Sequence, residues 1–299
     1  SSAVTRKLAK DPSWELWLIN RGNRADTVPE NVHQIVCDIN DEDAVKKALE
    51  GMTFDCVGEF IGFTVDQVER DYRLFKDITK QYIYISSASA YQKPAASYII
   101  TEGTALANPY WEYSRNKIAC EQFLMEKYRE EGFPVTIVRP SHTYDERAIP
   151  LGVHGKNGSW QVVKRMMDGR PVIIHGDGES LWHLTFNKDF ANGYTALMGN
   201  RHAIGEAFQI TGDEVLTWNQ IYQTIADALG VELKAYHVSS ELLTSLGPDY
   251  DFEGSLTGDK AVSVVFDNSK VKRLAPDLKT NVPFHKGVRL ALNYILDHI

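Results

Sequence analysis

Short apolar-rich segments alternate with helical patterns through the first half of this chain, and that alternation constrains the fold more than any other feature. Residues 15–19 (ELWLI), 31–37, 54–57, 82–86 (YIYIS) and 135–139 (VTIVR) read as strands, and 3–10, 41–50, 66–79 and 114–132 as helices. The most apolar of these strands lack the in-out alternation of a sheet with one wet face. They read as strands buried on both faces, which requires parallel pairing under helices. The expected class is therefore α/β, a doubly wound parallel sheet. Such sheets bind ligands at the carboxyl ends of their strands, where Ser87 and Pro140 fall. The second half is more mixed, with helices at 160–168, 188–198 and 219–229 and strands at 172–175 and 207–211. Residues 245–258, rich in Gly, Pro, Asp and Tyr, read as an exposed loop.

A candidate proton-transfer unit sits on this frame. Ser87 closes the strand at 82–86, and Tyr113 follows it by 26 residues with Lys117 four positions further on. Positions i and i+4 share a helix face, so the Lys117 ammonium can approach the Tyr113 phenol. A cation there favours the phenolate, which makes a poor base useful near neutral pH. Ser87 can then hold the reacting oxygen.

Composition excludes several other classes. The 299-residue chain carries a net charge of −8, so bulk charge offers nothing to nucleic acid or an anionic membrane. No apolar run approaches a membrane span, and no signal peptide is visible. Cys37, Cys56 and Cys120 are odd in number and lie in apolar or helical contexts, reading as reduced thiols of a cytoplasmic protein. No Cys or His spacing forms a metal-ligand set.

Several motifs together carry a resemblance to a known family: Ser86-Ser-Ala-Ser-Ala-Tyr91, Tyr113-x-x-x-Lys117, Val138-Arg-Pro-Ser-His-Thr-Tyr144, Gly176-Asp-Gly178 and Phe266-Asp-Asn-Ser-Lys270. The chain resembles the extended short-chain dehydrogenase/reductases, in particular their nucleotide-sugar epimerase/dehydratase branch. The resemblance implies a Rossmann-like dinucleotide-binding domain over 1–148. A mainly substrate-binding lobe over 149–299 is implied too, with segments near 185–215 returning to the first domain. It implies Ser87, Tyr113 and Lys117 as the catalytic set, with Tyr113 and Lys117 also holding the nicotinamide ribose. Pro140 and Ser141 would lie beside the nicotinamide, Asp38 and Ile39 at the adenine, and Phe60 and Ile61 at the adenosine ribose. Ser89, His142 and Trp182 would face the substrate. Relatives commonly dimerise through the helix bearing the Tyr, so a homodimer is a further expectation.

Two features refine that picture. Dinucleotide folds open with a strand and a glycine-rich turn onto a helix. This chain starts with what reads as that helix, so the strand and turn are expected upstream of the sequence. The second strand of such folds often ends in a carboxylate that binds the ribose hydroxyls of NAD. Here it ends in Asn20-Arg21-Gly-Asn-Arg24. Two guanidiniums suit a 2′-phosphate, so NADP is the expected cofactor, with NAD as the alternative.

Departures from the branch bear on the substrate. Its dehydratases carry an Asp-Glu pair after the catalytic Thr, whereas this chain has Ala88-Ser89. Its nucleotide-sugar enzymes often place an Arg for the diphosphate after Gly-Asp-Gly, and here Trp182 takes that position. The expected reaction is epimerisation of a sugar or nucleotide-sugar by transient hydride transfer. Reduction of a smaller carbonyl substrate is the alternative. The same departures make the chain similar to a sub-branch that includes chloroplast stem-loop RNA-binding proteins; a non-catalytic or RNA-binding role is a third reading, which the acidic charge disfavours.

Overall fold

The computed structural model describes residues 2–23, 28–155, 158–276, 278 and 280–298. Its centre is a four-stranded parallel sheet in the order Ala207–Ile210, Val135–Pro140, Tyr82–Ile85, Val57–Glu59. A second parallel pair, Leu16–Asn20 with Val32–Val36, lies in register from Leu16 opposite Val32 to Asn20 opposite Val36. The fold is α/β and doubly wound. Tyr82, Ile83 and Tyr84 are all fully buried, as their unbroken apolar pattern requires.

Helices cover both faces. On one, Val65–Phe75 and Glu112–Glu131 pack Val68, Tyr72, Cys120 and Leu124 against Tyr82, Tyr84 and Ile137. On the other, Ser2–Leu8 and Asn187–Leu197 pack Val4, Leu8, Phe190 and Tyr194 against Ile83, Val138 and Phe208. The long helix has Glu112 in its first turn and Arg129 in its last, charges that suit its dipole. Gly132, at φ 71°, closes it in the left-handed conformation that glycine adopts without a Cβ clash.

A separate core builds the second lobe around Trp218, Tyr222 and Trp182. Its strands are short pairs: Val172–His175 with Ala235–Val238, His142–Tyr144 with Leu184–Phe186, and Leu181–Trp182 with Leu216–Thr217. The segment expected as an exposed loop is instead ordered structure. A 3₁₀ turn, Pro248–Tyr250, leads into a π-helix, Glu253–Lys260. Leu256 and Phe252 of this segment are buried with Leu243 and Val153. Among the described residues no helix is long and apolar enough to cross a membrane.

Candidate active site

The sheet brings Ser87, Tyr113 and Lys117 together although they arise from different elements. Ser87 follows the strand Tyr82–Ile85 in extended backbone, and its Oγ accepts the Ser89 N–H at 3.2 Å, capping the turn Ala88–Ala90. That Oγ also lies 2.8 Å from Ser89 Oγ, which accepts a 2.7 Å bond from the Ser114 hydroxyl. Tyr113 occupies the first turn of its helix, with its ring 5.0 Å from Trp111 and 6.5 Å from Phe63. Its phenol is near enough to Ser87 for that hydroxyl to lower its pKa.

Lys117 is 1% exposed. Its ammonium donates to the carbonyls of Gly62 and Ile85, both at 2.7 Å, and so ties the ends of two neighbouring strands to the helix. Burial lowers its pKa to about 8, partly offset by Cys120, Glu59 and Glu121.

The i, i+4 spacing predicts that Lys117 favours the Tyr113 phenolate, and here the structure differs. Burial pushes the phenol above its ordinary value, the Ser87 bond offsets part of this, and Asp259 adds to it. Lys117 sits 5.8 Å from the centre of the Tyr113 ring, with its protons directed to backbone carbonyls. A buried ammonium takes acceptors where it finds them, and the strand ends supply two. Tyr113 is therefore a phenol in this state.

Under the site lies a buried ion pair. Arg139 donates to Glu121 through Nε at 3.0 Å and Nη2 at 2.6 Å, and the Ser86 hydroxyl also bonds to Glu121.

The residues expected at the cofactor follow the carboxyl ends of four parallel strands, Leu16–Asn20, Val32–Val36, Val57–Glu59 and Val135–Pro140. Asn20 Oδ1 accepts the Gly22 N–H at 2.7 Å, and Arg21 is exposed; Arg24 lies outside the described residues. Asp38 is exposed and accepts both the backbone and side-chain N–H groups of Asn40. Ile39 and Phe60 are half-buried, whereas Ile61 and Phe63 stand 48% and 45% exposed, apolar surface left open beside Gly62. Pro140 is half-buried, and Ser141 Oγ lies 3.1 Å from Thr185 Oγ1.

On the other side of Tyr113 opens a cleft of about 720 Å³, walled by Trp111 and Tyr110 and by Pro248, Asp251 and Gly254 opposite. The π-helical segment closes onto it. The Trp111 indole donates to Asp251 at 3.0 Å, Asn108 Nδ2 to the Gly258 carbonyl at 2.7 Å, and Lys93 to the Asp259 carbonyl at 3.1 Å. A Cβ at Gly254 would collide with the indole, so the close approach needs glycine. Sequence reasoning missed Trp111, Asn108 and Asp259. The signal available was the aromatic Tyr110-Trp111 pair just ahead of Tyr113 and the Gly254/Gly258 spacing.

Two expected substrate contacts lie deeper. Trp182 is 3% exposed and packs 5.7 Å from Trp218, so it belongs to the second lobe's core and does not line the cleft. A two-residue strand paired with Leu216–Thr217 turns its indole inward. Burial holds His142 down to about 3, with Lys260 and His154 adding to the effect, so its imidazole is neutral.

The chain is 24% identical over 257 residues to the 2′-dehydrokanamycin reductase of Streptomyces kanamyceticus, covering 86% of this chain and 71% of that one. It is 29% identical over 193 residues to the chloroplast stem-loop binding protein of 41 kDa b of Arabidopsis thaliana, covering 64% of this chain and 47% of the relative. The fold matches that of a UDP-glucuronic acid 4-epimerase from Bacillus cereus with a TM-score of 0.76 at 18% identity, over 100% of this chain and 96% of the other. A model of the NAD dependent epimerase/dehydratase family matches residues 1–211, and the chain belongs to that family.

Proposed function

We propose that this protein moves a hydride at a carbinol carbon of a sugar or glycoside, with Tyr113 exchanging the proton and Ser87 holding the oxygen. The observation that supports this reading is the convergence of Ser87, which follows a strand of the central sheet, with Tyr113 and the Lys117 ammonium held by the Gly62 and Ile85 carbonyls. A nicotinamide dinucleotide would run along these strand ends: Asp38 and Ile39 for the adenine, Phe60 and Ile61 for the adenosine ribose, and Pro140 and Ser141 for the nicotinamide. The exposed Ile61 is the apolar surface such a ligand would cover. Bound there, the nicotinamide supplies or accepts the hydride. Tyr113 and Lys117 would hold its ribose; Lys117 fixes the Gly62 and Ile85 carbonyls while Tyr113 gives or takes the substrate proton.

If the ketone stays bound and is reduced on its other face, the outcome is epimerisation, the reading we favour for a sugar substrate. Release of the product gives a reductase, and one observation favours that second reading: Tyr113 is held as a phenol, poised to donate. Absorbance of the cofactor during turnover decides between them. Inversion at the carbinol with no net cofactor change marks the epimerase, and stoichiometric consumption of reduced cofactor marks the reductase.

For the cofactor we favour NADP. The strand Leu16–Asn20 ends without a carboxylate, and the exposed Arg21 follows it. In a fluorescence titration NADPH is expected to bind about tenfold or more tightly than NADH, and Arg21→Glu to erase the difference. An NADH preference in the unaltered protein would overturn this assignment.

The pH profile tests Lys117 directly. Its value near 8 lies below its ordinary 10.5, so its contribution to stability is present above the unfolded value and lost as pH falls through about 8. Activity that requires the ammonium runs the other way. kcat/KM is expected to fall as pH rises through about 8. A limb above 10 would instead assign the titration to Tyr113, whose value is raised from 10.0.

A further inference from the structure

Beneath the loop that follows the strand Val57–Glu59, two carboxyl groups lie buried near one guanidinium. Glu59 ends that strand and Asp71 lies on the helix Val65–Phe75, and they are 8% and 0% exposed. Asp71 takes the cation. Its Oδ1 accepts Arg70 Nε at 2.9 Å and Nη2 at 2.7 Å, and its Oδ2 accepts the Tyr82 hydroxyl at 2.9 Å. Arg70 Nη1 donates to Asn40 Oδ1 at 2.8 Å, and Asn40 Nδ2 donates to Asp38 Oδ1 at 2.9 Å, so the network reaches the residue proposed at the adenine. Glu59 instead accepts the Ile61 backbone N–H. Burial pushes its carboxyl up to about 8 and the Asp71 carboxylate adds to this, while the Ile61 N–H and Arg70 offset part of it. Lys117, Tyr82 and Tyr194 also feel the Glu59 charge. Glu59 therefore keeps its proton near neutral pH.

The loop above carries the half-buried Phe60 and the exposed Ile61. Side chains tie it down in succession. After the Ile61 N–H at Glu59, the Gly62 carbonyl accepts Lys117 at 2.7 Å and the Tyr84 hydroxyl at 3.1 Å, and the Phe63 N–H donates to Gln67 Oε1 at 2.6 Å. The Glu59 tie fixes the residue proposed to meet the adenosine ribose. It suits a dinucleotide best with its proton on. An ionised Glu59 would set a second negative charge beside Asp71 and under a ligand that carries phosphates.

We infer that Glu59 is a positioning residue for the cofactor, an uncharged acid that latches the ribose loop through the Ile61 N–H and keeps a second negative charge away from the dinucleotide. The inference rests on the dinucleotide reading given above, and binding tests it without turnover. The full chain, Glu59→Gln and Glu59→Leu are titrated with NADPH and NADH by fluorescence at about pH 6 and about pH 9, on either side of the Glu59 titration. The amide of Glu59→Gln can still accept the Ile61 N–H but cannot ionise. At the lower pH it is expected to bind the preferred dinucleotide within about twofold of the unaltered protein, and Glu59→Leu about tenfold more weakly. At the higher pH Glu59→Gln is expected to bind about fivefold or more tightly than the unaltered protein. Loss of the Lys117 charge is common to both proteins and cancels in that ratio. Undiminished affinity in Glu59→Leu, or a Glu59→Gln no tighter than the unaltered protein at the higher pH, would each overturn the inference. Should Glu59→Leu not fold, the Glu59→Gln ratio decides alone. If no dinucleotide binds the unaltered protein, the cofactor reading fails and the cofactor role of Glu59 fails with it. Hydrogen exchange over residues 60–63 then judges the latch: faster exchange in Glu59→Leu with none in Glu59→Gln upholds it, and equal exchange in all three proteins overturns it.

Discussion

Tyr113→Phe is expected to lower kcat by about 10²–10⁴-fold, the span that a positioned general acid or base contributes, while leaving cofactor affinity nearly unchanged. The substitution removes one oxygen and keeps the ring. Packing against Trp111 and Phe63 survives, as do the Lys117 bonds to the Gly62 and Ile85 carbonyls. What is lost is the hydroxyl whose titration feels Ser87 and Asp259. Steady-state rates with a fluorescence titration of the cofactor separate the two effects. Preserved turnover would move the proton transfer elsewhere. His142 is a poor candidate, since burial keeps it neutral down to about pH 3. A parallel loss of kcat and cofactor affinity would instead show that the phenol mainly anchors the cofactor.

The sheet was legible in the sequence because its strands are buried on both faces. Tyr82–Ile85 is an unbroken aromatic and apolar run and Val135–Val138 nearly so, and their ends lead to Ser87 and Pro140. The second lobe was far less legible. Its strands have two to four residues and pair with partners distant in the chain, as His142–Tyr144 does with Leu184–Phe186. A stretch of that length carries no periodicity to read.

The segment around 245–258 misled for a different reason. Its Gly, Pro and Asp content signals a loop, yet Gly254 and Gly258 are there to let a π-helix lie flat against Trp111 and Asn108. Local composition cannot show which distant surface a glycine approaches. Trp182 was expected to face the substrate, yet its indole is buried in the second core against Trp218, a contact its local sequence does not show. The same limit applies to Lys117. Helical spacing fixed the face it shares with Tyr113, while the carbonyls of Ile85 at a strand end and of Gly62 in a loop decided where its protons go.

Glu121→Ala should cost about 3–5 kcal/mol of stability, because removing one partner leaves the other charge buried and uncompensated. Glu121 and Arg139 are 3% and 5% exposed, so water cannot replace the lost carboxylate. The guanidinium would keep only the Glu102 carbonyl at 3.2 Å and the Tyr91 ring at 5.0 Å. Against a typical total of about 5–15 kcal/mol, such a loss is a large fraction of what holds the domain together. Denaturant midpoints measure it, and a change below about 1 kcal/mol would show that the pair is not a structural clamp. The double variant Glu121→Leu/Arg139→Met removes both charges, so it should recover most of the loss, since apolar replacements of whole buried pairs are often neutral. Activity need not recover with it. Glu121 also takes the Ser86 hydroxyl, next to Ser87, and joins the Tyr113 helix to the strand that ends at Pro140. A stable double variant with reduced kcat and unchanged cofactor affinity would mark Glu121 as a positioning residue for the Ser87–Tyr113 pair, and full activity would confine it to stability.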